Sequence, residues 1–117
     1  LQGTRIADVG TGAGFPGLPL ALVNPQRQFT LLDSNGKKIR FVTHAARVLG
    51  LRNVDAVHAR AERSAPAQPF DTVVARAFAA LETLAETVAP LCGPATRVLA
   101  MKGRPDAAEL RALPPGW

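Results

Sequence analysis

The chain has 117 residues, 47% of them hydrophobic and 20% charged, with ten glycines, ten prolines and one cysteine, proportions that fit one globular domain. A lone Cys92 can form neither an internal disulfide nor a cysteine-rich zinc site, which excludes a disulfide-stapled scaffold and favours a reducing, cytoplasmic setting. Polar residues interrupt every apolar stretch before about 18 residues, so no membrane span is predicted, and the formal charge of +5 favours a polyanion such as nucleic acid.

That charge also has a compositional source, since 11 Arg, 3 Lys and 21 Ala are what GC-rich codon usage produces. The first predicted element is Arg5–Val9 (RIADV), a short apolar run stopped by glycines, as a buried parallel strand should be. No signal-peptide pattern precedes it. Pro16–Val23 suits a short helix, with its prolines near the first turn and Asn24-Pro25 as the stop. Gln28–Leu32 reads as a second strand closed by Asp33, followed by a turn over Ser34–Gly36.

From about Lys37 to Leu49, Ile39, Val42, Ala46 and Leu49 recur at helical spacing, with Ala45 and Val48 alongside. Lys37, Lys38, Arg40 and Arg47 fall mainly off that stripe, and Gly50 supplies the stop. Asn53–His58 is a third strand, Ser64–Pro69 a loop and Phe70–Ala75 a fourth strand. Leu81, Leu84, Ala85, Val88 and Leu91 mark a helix ended by Gly93-Pro94, Thr96–Lys102 a fifth strand, and Asp106–Leu113 a further helix. Leu113–Trp117 read as a cut, so residues 1–117 are expected to be the truncated core of a longer chain. Strands alternating with helices predict an open α/β fold with a mostly parallel sheet of about five strands and helices on both faces. Such sheets bind ligands at the carboxyl ends of their strands.

The first strand runs into Asp8-Val9-Gly10-Thr11-Gly12-Ala13-Gly14-Phe15-Pro16-Gly17. Alternating glycines let the backbone turn sharply and approach a ligand, and the helix that follows is expected to offer free N–H groups. Gly12, Gly14 and Gly17 fit the dinucleotide fingerprint, with Asp33 about 20 residues on as the ribose acid. Asp8, Gly10, Gly12 and Gly14 fit instead the D-x-G-x-G-x-G loop of S-adenosylmethionine-dependent methyltransferases. Asp8 favours the second reading, because a carboxylate repels a pyrophosphate but suits an ammonium. Asp33 can accept two ribose hydroxyls as an ionised acid. It can equally close an Asx turn or cap a helix, and the two roles are compatible.

The blocks DVGTGAGFPGLPLAL, FTLLDSNGKKIRF, HARAE, FDTVVARAFAAL and LAMKG, in that order from about Gly3 to Gly103, resemble the bacterial 16S ribosomal RNA guanine-N7 methyltransferases of the small subunit, formerly called glucose-inhibited division protein B. The resemblance implies a class I, Rossmann-like methyltransferase fold without the family's terminal segments, S-adenosylmethionine as cofactor, and one guanine of small-subunit 16S rRNA as substrate. By motif it also implies cofactor contacts at Gly10 and Phe15, at Asp33 and Ser34 on the ribose side, at Ala61 and Glu62 on the adenine side, and at Arg76.

Guanine N7 presents a free lone pair, so the reaction needs positioning rather than a general base, and no dedicated catalytic residue is expected. No Pro-Cys dipeptide offers a nucleophile for pyrimidine C5 methylation, and Cys92 is expected to be buried and inert. The fourth strand ends in Ala75-Arg76-Ala77-Phe78, not the Pro-Pro-aromatic sequence of exocyclic amino methyltransferases. Arg76 could grip a cofactor carboxylate or an RNA phosphate, or simply a helix carboxylate.

Phe15 and Phe78 could stack on a base or fill the core. His44 is expected on a solvated helix and His58 near the adenine side, and no metal site is expected. Lys37, Lys38, Arg40, Arg47 and Arg52 form a candidate RNA-phosphate patch, with Lys102-Gly103 as a second. The chain is expected to be a monomer. A nicotinamide-type oxidoreductase domain and a folded but inactive methyltransferase fragment are the alternatives.

Overall fold

A computed structural model describes residues 3–76 and 81–101. Strands β1 (Arg5–Val9), β2 (Gln28–Asp33), β3 (Val54–His58), β4 (Phe70–Arg76) and β5 (Cys92–Met101) form one sheet in the order β3-β2-β1-β4-β5. Each neighbouring pair is parallel. Between them run α1 (Gly17–Val23), α2 (Gly36–Val48) and α3 (Leu81–Val88), with short 3-10 turns at Ala61–Arg63 and Ala89–Leu91. The direction of strand succession reverses at β1 and β4, which places the glycine loop after β1 at the topological switch point where open α/β sheets bind ligands.

The strands are apolar at consecutive positions because both faces of the sheet are covered. Ile6, Leu31 and Val74 join Leu18, Ala21, Phe29, Val42 and Ala46 in one cluster beneath α1 and α2. Their neighbours Ala7, Leu32 and Val73 join Phe70, Ala75, Leu84, Val88 and Leu91 in a second cluster beneath α3. Adjacent residues on one strand thus serve opposite layers.

Most boundaries fall within a residue or two of expectation, and the differences at β5 and α2 bear on the packing. β5 opens at Cys92, not Thr96, and the Phe70↔Cys92 and Thr72↔Arg97 pairings bracket a register shift. Gly93 and Pro94 are accommodated because β5 lies at the edge of the described sheet, where a missing N–H costs no ladder bond. Leu49 and Val48, expected on the buried stripe of α2, are exposed. The helix ends at Val48, and Leu49 is its C-cap. The expected helix at Asp106–Leu113, Phe78 and Lys102-Gly103 lie outside the described residues.

Candidate functional site

The glycine loop is tied down by its own backbone. The N–H groups of Gly10 and Thr11 both donate to the Leu32 carbonyl at 2.9 and 3.0 Å, and those of Gly14 and Phe15 both donate to the Thr11 carbonyl at 3.0 and 3.1 Å. Gly10, Gly12 and Gly14 have φ of 67, 58 and 95°, a region that costs an L-residue roughly 1–2 kcal/mol. At Gly14 a Cβ would also overlap the Leu18 side chain.

Asp8 lies beneath this loop, 1% exposed. Its Oδ2 accepts the Thr11 hydroxyl at 2.8 Å and the Gly17 N–H at 2.9 Å. Leu18 and Leu20 donate their N–H groups to the Gly14 and Pro16 carbonyls, and Pro19 has none to give. The expectation of free N–H groups at the start of α1 is therefore corrected: buried Asp8 and the loop carbonyls already take them. Through Oδ2, Asp8 shapes the loop from below. Gly17 permits this approach, since a Cβ there would stand 2.7 Å from both Asp8 Oδ2 and Leu31 Cγ.

Asp33 ends β2 opposite His58 of β3. Its Oδ2 accepts the Gly12 N–H at 2.9 Å and its Oδ1 the Asn35 N–H at 2.8 Å. The Asx-turn reading is thus correct, and Asp33 also tethers the glycine loop. One lone pair on each oxygen remains available to a ligand hydroxyl, because a carboxylate offers about four acceptor positions. Asn35, not Asp33, caps α2, accepting from the Lys37 and Lys38 N–H groups. His58 Nε2 lies 2.9 Å from the Ser34 carbonyl oxygen and donates to it in the tautomer that carries hydrogen on that nitrogen.

A cleft of about 140 Å³ lies at this end of the sheet, lined by Val9, Gly10, Leu32, Asp33, Ser34, Ala59, Arg60, Ala61, Glu62 and Thr87. It brings together five expected site residues: Gly10, Asp33, Ser34, Ala61 and Glu62. Gly12 and Gly14 shape the loop beside it, and Phe15 projects from that loop with half its surface exposed, so it does not fill the core. Arg76 ends β4 one residue beyond Ala75, the partner of Val9.

Ala59, Arg60 and Thr87 were not legible as site residues. The first two lie within the HARAE block, of which only Ala61 and Glu62 were singled out, whereas Thr87 arrives from α3 and carries no local signal. Arg60 Nη1 lies 3.8 Å from Glu62 Oε1, and both side chains are exposed. Among the described residues no three His, Cys, Asp or Glu groups converge as a metal site, and no helix is long and apolar enough to cross a membrane. Cys92 is half-buried, with its Sγ 3.4 Å from the Val88 carbonyl oxygen, and desolvation raises its thiol pKa above the ordinary value.

Residues 1–116 match the family described as rRNA small subunit methyltransferase G. The chain is 53% identical over 116 residues to the ribosomal RNA small subunit methyltransferase G of Methylococcus capsulatus, across 99% of this chain and 57% of that protein. It is 50% identical over 113 residues to the protein of the same name from Marinobacter nauticus, across 97% and 53%. The chain therefore spans about half the length of these curated relatives. Its fold is similar to that of coclaurine N-methyltransferase, solved with N-methylheliamine and S-adenosylhomocysteine, with a TM-score of 0.73 at 17% identity over 86% of this chain and 30% of that one. The methyltransferase fold expected from the sequence is borne out and the oxidoreductase alternative is set aside. With its sequence matched from the first strand through the last, the chain belongs to the rRNA small subunit methyltransferase G family.

Proposed function

We propose that this chain is the S-adenosylmethionine-binding core of an enzyme that methylates guanine N7 in the 16S rRNA of the small ribosomal subunit, working in the cytoplasm as a monomer. The observation that carries the reading is the placement of Asp8. In dinucleotide folds the start of the first helix receives a pyrophosphate, whereas here Asp8 Oδ2 accepts the Gly17 N–H. A buried carboxylate in that position disfavours a phosphate and leaves a loop suited to a cofactor without one.

The cleft's 140 Å³ is below the roughly 300–1,000 Å³ of whole-ligand pockets, so it seats only part of the cofactor. Its lining suits the nucleoside end. Asp33 would take the ribose hydroxyls through its remaining lone pairs, Ser34 would flank them, and Ala61 and Glu62 would border the adenine. Gly10, Gly12 and Gly14 would let the rest pass close over the backbone, and Asp8 would support that passage from below. Phe15 would cover it, and Arg76 would hold the carboxylate end bidentately. When bound, the cofactor supplies a methyl group on an electrophilic sulfonium. Guanine N7 needs no deprotonation, so the work of the chain is alignment, which can contribute about 7–11 kcal/mol.

Thermal unfolding with S-adenosylhomocysteine or NADH tests the cofactor, since a ligand raises the melting temperature of the state it binds. Only the former is expected to do so. Transfer of labelled methyl from the cofactor to undermethylated small subunits tests the reaction. Because the chain spans about half its relatives, stabilisation by S-adenosylhomocysteine without methyl transfer would identify a binding core that needs the remainder of the protein for activity. An unchanged dissociation constant and activity in Arg76→Ala would remove that residue from the site.

A further inference from the structure

The outward side of α2 combines charge with an exposed ring. Ile39, Val42 and Ala46 face the core, while Lys37, Lys38, Arg40, Phe41, His44, Arg47 and Val48 are exposed. Helical spacing puts Lys37, Phe41, His44 and Val48 on one stripe, with Arg40 and Arg47 along one flank and Lys38 on the other. The helix contains no acidic residue. Among the described residues, none of its cations has a carboxylate within ion-pair distance.

Phe41, 54% exposed, therefore stands amid four cations that span about 15 Å from Lys37 to Arg47. The helix begins at Gly36, two residues after Ser34 of the cleft, so the basic stripe starts at the cleft rim.

Charge of one sign fits any polyanion, but a half-exposed phenyl ring within it matches a polyanion that also offers flat apolar faces. Unpaired RNA does so. Its bases stack on aromatic side chains while Lys and Arg track the backbone, whereas duplex RNA keeps its base faces covered. We propose that the outer face of α2 binds single-stranded or looped RNA, with Phe41 as the stacking platform for an unpaired base and Lys37, Lys38, Arg40 and Arg47 as phosphate contacts. This rests on the RNA-methylating reading above and extends it to a defined surface.

The test is anisotropy of a labelled, unstructured RNA oligonucleotide titrated with the full chain across a salt series, beside an RNA duplex of the same length. Phe41→Ala is expected to weaken single-strand binding about tenfold or more, leaving duplex binding and the salt slope unchanged, and Phe41→Tyr to restore it. The double variant Lys37→Ala/Lys38→Ala is expected to reduce the slope of log K against log salt by about 1.4, roughly 0.7 for each lost phosphate contact. Unchanged single-strand affinity in Phe41→Ala, an unchanged slope in the lysine variant, or no RNA binding by the parent chain would overturn the proposal.

The melting-temperature shift with S-adenosylhomocysteine is read on the same proteins and separates the two levels. A retained shift with an unmoved salt slope refutes the α2 surface and leaves the cofactor reading standing. A lost shift in the parent chain refutes the cofactor reading, while the RNA titrations still decide the surface.

Discussion

Replacing Asp33 by Asn tests the geometry at the end of β2. Both carboxylate oxygens accept backbone N–H groups, Oδ1 from Asn35 at 2.8 Å and Oδ2 from Gly12 at 2.9 Å. An amide has only one acceptor oxygen. Whichever way it is turned, it keeps one bond and directs an NH₂ at the other N–H. The loss is at least one hydrogen bond to a charged acceptor, about 1.5–3 kcal/mol. For a domain of this size, 1 kcal/mol moves the melting temperature by roughly 3–6 °C, so Asp33→Asn is expected to melt about 5–18 °C lower without any ligand. Circular dichroism and urea titration would measure it, and a loss below about 0.5 kcal/mol would refute the two-bond argument. A separate reading comes from S-adenosylhomocysteine, which at a hundredfold excess over its dissociation constant should add about 2.7 kcal/mol to the parent chain. If Asp33 holds the ribose, the variant gains less; an equal gain would confine Asp33 to a structural role.

Other substitutions test the supports of the site. Gly17→Ala should destabilise by about 1–3 kcal/mol through crowding of Asp8 Oδ2 and Leu31 Cγ, although alanine normally favours a helix over glycine; a stabilised variant in chemical denaturation would contradict the close approach. Asn53 Nδ2 lies 3.0–3.1 Å from the carbonyl oxygens of Ala21, Asn24 and Arg27. Asn53→Asp, which presents an acceptor to three acceptors, should cost about 1–3 kcal/mol by the same measurement. Asp71 receives N–H bonds from Arg5 and Thr4, which hold its pKa below the ordinary aspartate value against an opposing desolvation. Its contribution is therefore complete above the unfolded value of about 3.9 and disappears as pH falls through the folded value. Stability of the parent relative to Asp71→Asn, followed from neutral pH into acid, should decline over that interval; a constant difference would dispose of the linkage.

The strands were legible because burial on both faces leaves short apolar runs punctuated by Gly, Pro, Asn and Asp, and this fold uses few other signals. Asp33 was legible as well, since an acid closing a strand and followed by Ser-Asn-Gly has few local uses. The start of β5 was not, because Gly93-Pro94 carries the composition of a stop while edge position and a register shift allow it to continue. Nor was the fate of the α1 N–H groups. A glycine pattern reports where the backbone bends, but whether the next helix faces a ligand or an internal carboxylate depends on which way Asp8 points. That orientation is seen in the bonds from the Thr11 hydroxyl and the Gly17 N–H, which form only once α1 is seated over the end of β1. Thr87 shows the same limit at the cleft: it reaches the site from α3 through tertiary structure alone.

The two consecutive N–H groups held by the Leu32 carbonyl, together with the Asp33 tether to Gly12, have an entropic consequence. A glycine-rich segment is the most expensive kind of chain to order, and a site that froze such a segment only on binding would lose that free energy from its affinity. Here the ordering is completed during folding by bonds to β2, so a cofactor meets a turn already in shape. Association should then be fast, with little dependence on loop rearrangement. Weakening the β1–β2 connection should slow it even where no contacting atom has changed.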